Sequence, residues 1–177
     1  SASSNSVIVD STIPTVSRVA ITSAEGIQNS FLNAGDNVTV TATFRELVNL
    51  VNTGGNPTLT LAVGSDNGTA TYTSGSGSTQ LVFRYTIQSG DNDTNGISIR
   101  ADSIVLPNNS TIRDAALNDA DLTHDAVDNN TSYKVDNTPP TVSSVAITSA
   151  EGIQNGLLNT GDNVSVTATF SETVNVD

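Results

Sequence analysis

The chain has 177 residues, of which 36% are apolar, 18 acidic and 6 basic, giving a formal net charge of −12. A field of that sign repels nucleic acid and anionic membranes and draws cations, divalent ones above all. Cysteine and methionine are absent and the aromatics are three Tyr and four Phe, so disulfides and thiolate metal sites are excluded and a core has to rest on Val, Ile, Leu and Ala.

In chain order, a D-S-T-I-P segment at 10–14 leads into T-V-S-R-V-A-I-T at 15–22, the first strong strand signal. N-V-T-V-T-A-T-F (37–44), T-L-T-L-A-V (58–63), G-T-A-T-Y-T (68–73) and T-Q-L-V-F-R-Y-T-I (79–87) follow. These runs are rich in β-branched residues, and several alternate polar and apolar with period two, as half-buried strands do. Clusters of Gly, Ser, Asn and Asp at 64–68, 74–78 and 89–96 mark the turns between them. Residues 97–100 and 132–135 carry weaker strand signals. The stretch 102–130 reads as irregular, with a single helical turn near 114–118. No apolar run approaches a membrane span, so no direct membrane insertion is expected. No export signal is visible, so one is expected outside this window.

An internal repeat organises the chain. Residues 13–49 return at 139–175 with a constant offset of 126, no gap and roughly three-quarters identity. Pro14 maps onto Pro140, Glu25 onto Glu151, Asp36 onto Asp162 and Glu46 onto Glu172; Val9-Asp10 maps onto Val135-Asp136. The phase follows. Residues 1–10 are expected to be the closing strand and linker of a preceding repeat, 11–136 a complete repeat, and 137–177 the first two strands of the next. Each linker carries proline, which favours an extended, short connection.

About seven short strands in a unit of this length predict an all-β fold, an immunoglobulin-like Greek-key β-sandwich in tandem array. Labelled A to G, alternating strands sort the loops to two ends. The incoming linker, the B–C loop and the F–G stretch share the near end, which gathers Asp10, Glu46, Asp114 and Asn118. The A–B loop, the E–F loop and the outgoing linker share the far end, which gathers Glu25, Asp36, Asp91, Asp93 and Asp136. Clustered carboxylates repel one another unless protons or a cation intervene, so both ends are candidate Ca²⁺ sites. A third candidate is local. Asp91-Asn92-Asp93-Thr94-Asn95-Gly96 matches the first half of a D-x-[DN]-x-[DN]-G calcium loop, and Asp102 stands at its twelfth position. The same pattern also describes a turn whose Asp and Asn side chains satisfy their own backbone.

Catalytic patterns are missing. His124 is the one histidine and has no nearby Ser-and-acid framework. No G-x-S-x-G elbow, S-x-x-K pair or phosphate-binding glycine loop occurs, so an enzyme is not expected. Sequons at Asn67, Asn108 and Asn130 are of the kind a Thr/Ser/Asn-rich chain holds by chance.

The segments T-x-P-T-V-x-x-V-A-I-T-S, L-N-x-G-D-x-V-x-V-T-x-T-F-x-E, Y-T-S-G-S-G-S-T-x-L-V-F-x-Y-T-I-Q-x-G, D-T-N-G-I-S-I and R-D-A-A-L-N together resemble the long bacterial Ig-like repeats of giant surface proteins. That group includes the repeat once described as flagellar-system-associated and the extender domains of secreted adhesins. The resemblance covers essentially the whole chain. It implies an extracellular stalk that projects a binding domain from the cell surface, with neighbouring repeats as partners and calcium stiffening the junctions. One position departs: the family commonly has D-A-A-G-N, and Leu117 replaces the glycine. The expected function is therefore a spacer repeat. The alternatives are a self-associating subunit of an extracellular filament, sheath or surface layer, and, third, a carbohydrate-binding module.

Overall fold

The computed structural model describes residues 8–175, so most of the expected closing strand at 1–10 lies outside the described residues; Ile8 and Val9 are exposed and outside any strand. The chain divides into two compact units, with the break between Asn137 and Thr138.

The first unit is all-β, with no helix among the described residues. Its strands are β1 (Val16–Glu25), β2 (Phe31–Leu32), β3 (Asn37–Val51), β4 (Thr58–Val63), β5 (Asp66–Ser74), β6 (Ser78–Thr86), β7 (Ser98–Val105), β8 (Thr111–Arg113) and β9 (Lys134–Val135). Six of them form one curled antiparallel sheet in the order β1-β3-β6-β5-β4-β7, and β8 pairs with the end of β3. The period-two pattern is the cause. On β4 every second residue, Leu59, Leu61 and Val63, is fully buried while the Thr and Ala between them are half-buried. Across the β3–β6 ladder the inward pairs are Val38 with Tyr85, Val40 with Phe83 and Ala42 with Leu81. Tyr72 meets Phe83 edge to face at 6.2 Å, a favoured aromatic geometry.

Several elements differ from expectation, among them β2, which was not expected, and β7, which runs on to Val105 instead of ending at Arg100. β3 runs on to Val51 instead of ending at Phe44, after a register shift between Thr43 and Val48. Its last three residues pair with β8, a strand inside the stretch expected to be irregular. Near 114–118 the chain makes a tight turn, with Leu117 N donating to Asp114 O at 3.4 Å, instead of a helical turn.

The sheet's ends are β1 and β7, and the segment from 119 to 135 laces both. Asp121 bridges to Thr15 ahead of β1, and Val127 bridges to Ile99 on β7. Tyr133 O accepts from Ile97 N at 2.9 Å, Val135 bridges to Asp93, and β9 runs parallel to β2. The excess length of this segment therefore closes the seam of a sandwich-like curl whose core draws on β1 through β9.

In the second unit, β10 (Val142–Glu151) and β11 (Asn163–Phe170) form a two-stranded antiparallel sheet. Its register repeats that of β1 and β3 position for position, from Val142 opposite Phe170 to Glu151 opposite Asn163, with both shifts in the same places. The threonine pair Thr22–Thr41 at 3.0 Å recurs as Thr148–Thr167 at 3.0 Å.

Candidate cation site at one end of the sheet

Asp10, Glu46 and Asp114 arrive from three segments. Asp10 lies in the incoming segment, held down where Asp121 N donates to Pro14 O at 2.8 Å. Glu46 sits on β3 inside its register shift, where the strand turns from β6 toward β8. Asp114 directly follows β8, whose Arg113 faces Asn49 of β3. One carboxylate oxygen from each lies within 4.8 Å of the other two, the single such group of His, Cys, Asp or Glu among the described residues.

Asn118 knits the cluster together. Its Nδ2 donates to Asp114 Oδ2 (2.7 Å), Thr12 O (3.2 Å) and Asp10 O (3.3 Å), and its N–H donates to Asp114 Oδ1 (2.8 Å). Thr12 N donates to Asp10 Oδ1 at 3.0 Å. The electrostatics show the crowding. Burial, then the charges of Asp10 and Asp114, push the Glu46 carboxyl above its usual value. Burial also pushes Asp114 upward, but the hydrogen bonds from Asn118, Ala116 and Leu117 outweigh it and hold the carboxyl below the usual range. Asp114 is only 3% exposed, so its charge is kept by those donors and not by water.

The turn that presents Asn118 is strained. Leu117 has φ 72° and is exposed, a left-handed conformation that costs a bulky side chain roughly 1–2 kcal/mol. Leu117→Gly is expected to stabilise the first unit by about 1 kcal/mol, after the extra unfolded-state freedom of glycine is subtracted. Chemical denaturation checks this, and a loss of stability would show that Leu117 is held by contacts that outweigh the backbone term.

At the far end Asp36, Asp91 and Asp93 accept from backbone N–H groups, and Glu25 is held by an arginine. Asp91, 7% exposed, accepts from Tyr85 Oη (2.7 Å) and Gln88 N (2.8 Å). Burial and this carboxylate together push the Tyr85 phenol up. Asp93, 3% exposed, accepts from Gly64 N (2.8 Å) through one oxygen and from Gly96 N (2.7 Å) and Asn95 N (3.2 Å) through the other. Gly96 is required there: its φ is 100°, and a Cβ would stand 2.1 Å from Asn130 O. Asp102 lies on β7 and accepts from His124 N at 2.8 Å, so the structure does not bring it to Asp91, Asp93 and Asn95 as a twelfth ligand. Glu25 pairs with Arg84. Asp36 accepts from Asn33 N at 2.8 Å, and Asp136 N donates to Leu32 O at 3.1 Å.

His124 is partly exposed, outside any strand, and part of the seam. Its Nε2 accepts from Ser103 N at 3.1 Å, and its Nδ1 faces Asp125 O at 2.8 Å and so carries the proton. Nothing in its immediate sequence context announced this role, because the Ser103 that donates to its ring lies 21 residues earlier on β7.

No family model matches the chain, and no curated protein or solved structure does either.

Proposed function

We propose that this chain is a complete spacer repeat, with the opening of a second, from an extracellular tandem array, and that Ca²⁺ at Asp10, Glu46 and Asp114 ties each linker to the domain it enters. The observation that carries the proposal is the convergence of one linker carboxylate with two domain carboxylates. Donors of this kind, hard oxygens without His or Cys, suit Ca²⁺ or Mg²⁺. Calcium–oxygen distances of about 2.3–2.6 Å put two ligand oxygens up to about 5 Å apart, and the oxygens of this cluster, all within 4.8 Å of one another, fit that. The O atoms of Asp10 and Thr12, beside Asn118, are further oxygens close by. A bound ion would neutralise the charge that now raises Glu46, and Asp10 would pin the incoming segment to β3 and the 114–118 turn. The repeat offset supports a role at junctions, since it maps Asp10 onto Asp136 and Glu46 onto Glu172.

The strand order supports the finer immunoglobulin-like reading. β1-β3-β6-β5 follows the order of strands A-B-E-D and β4-β7 that of C-F, although β5 also pairs with β4, so the two groups are joined in one curled sheet. The rings of Phe44, Phe83 and Tyr85 are buried in the core, which favours a spacer over a module that stacks sugars on exposed aromatics. The proposal is tested by small-angle scattering of two copies of residues 11–136 joined in tandem, in calcium and in chelator. The expected maximum dimension in calcium is about twice that of one repeat, because the proline-stiffened linker holds the domains end to end. A compact side-by-side pair in calcium would overturn it.

A further inference from the structure

We infer that the second unit is a strand acceptor: the free edge of β11 takes one antiparallel strand of β6 type, with large apolar residues at alternate positions and an arginine opposite Ser165 that reaches across β11 to Glu151. The inference rests on the repeat reading and adds to it the identity of what covers this hairpin.

The first observation is an open edge. In the first unit β3 is paired on both sides, by β1 and by β6, whereas among the described residues β11 pairs with β10 alone. An unpaired row of N–H and C=O groups is a template for strand addition. The second is that the edge keeps its β6-facing surface. Asn163 to Thr169 repeat Asn37 to Thr43, the residues that pair with β6, and the one change is Thr39 to Ser165. The third is charge. In the first unit Arg84 of β6 pairs with Glu25 and Thr86 Oγ1 contacts Asn37 Oδ1 at 2.7 Å; Glu151 and Asn163 stand in the places of Glu25 and Asn37.

The fourth is the uncovered face. Val19 is 6% exposed and Val40 0%, while their repeats Val145 and Val166 are 65% and 62% exposed. These side chains are core residues without a core. Two strands alone do not hold such a face in water, and three or more with an apolar side begin to. The β6 of the first unit is not the donor, because β3 and β5 already hold both of its edges. The strand therefore comes from a further polypeptide segment of the same pattern.

The test uses the full chain with the Ser78–Ile87 sequence appended after Asp177 through a short Gly/Ser linker. β6 begins beside the Phe44 end of β3, with Gln80 opposite Thr43, so the appended strand starts near the end of β11 and a short linker suffices. Hydrogen exchange at the Asn163–Phe170 amides is expected to slow by about tenfold or more, in calcium and in chelator alike. Glu in place of the appended arginine should remove that protection, and Glu151→Arg in the same chain should restore it. Unchanged exchange would overturn the inference. So would equal protection from an appended strand shifted by one residue, which would reveal mere stickiness, or protection that appears without any appended strand as the chain dimerises. A failure here alongside calcium-dependent stabilisation of the first unit would sink the acceptor and leave the spacer reading standing.

Discussion

Asp93→Ala is expected to lower the stability of the first unit by about 3 kcal/mol, in calcium and in chelator alike. The carboxylate is almost wholly buried and accepts three backbone N–H groups, from Gly64, Asn95 and Gly96. Alanine leaves those donors without a partner in a place that water does not reach, and each unsatisfied buried donor costs about 1–3 kcal/mol. The loss is also tertiary, since Gly64 belongs to the β4–β5 turn and Asp93 itself bridges to Val135 at the end of the seam. Asp93→Asn, which keeps one acceptor oxygen, should lose less. Urea denaturation with and without chelator measures all three proteins. A loss confined to calcium-containing buffer would instead make Asp93 a metal ligand.

Glu46→Gln is expected to change sign with calcium. Glu46 titrates above its ordinary 4.5 because burial, Asp10 and Asp114 disfavour its charge. A carboxyl with a raised folded pKa holds its proton longer in the folded chain than in the unfolded one. Stability therefore falls as pH rises from the ordinary value through the raised one, and the deficit persists at neutral pH. In chelator, removing that charge should stabilise the unit at pH 7 and do nothing at pH 3. Asp114 runs the other way: its lowered pKa contributes stability that is present above 3.8 and lost as pH falls through the folded value. Calcium that binds only the folded chain adds about 2.7 kcal/mol at a hundredfold excess over Kd. Glu46→Gln should forfeit most of that gain, so in calcium the variant is the less stable protein. Equal behaviour of the two proteins in both buffers would show that Glu46 is simply a solvated acid.

The hairpin and its copy were legible because period-two patterning and a gapless offset are local facts. The near-end grouping of Asp10, Glu46, Asp114 and Asn118 was legible too, since alternation of strand direction alone assigns each loop to an end. The Asp91–Asp102 stretch was not. Alternating Asp and Asn before a glycine presents oxygens at every second residue whether they converge on an ion or on backbone N–H groups. What separates the two is the burial of Asp91 and Asp93 against Tyr85 and Gly64, a tertiary fact. β8 escaped for a related reason. Thr111–Arg113 is too short to show a period, and it is a strand only because β3 overruns Phe44 and offers it Asn49–Val51.

A cation that fastens the linker at the near-end carboxylates is seen by following backbone amide resonances of the full chain during a calcium titration. Saturation is expected with Kd in the range of about 10⁻⁴–10⁻³ M, as for extracellular modules. The shifts should concentrate at Asp10–Thr12, Glu46 and Asp114–Asn118, and the amides of Asp10 and its neighbours should exchange more slowly once calcium is bound. Shifts centred instead on Asp91, Asp93 and Asp102, or none at all up to 10⁻² M (about tenfold above that range), would show that Asp10, Glu46 and Asp114 hold no such ion.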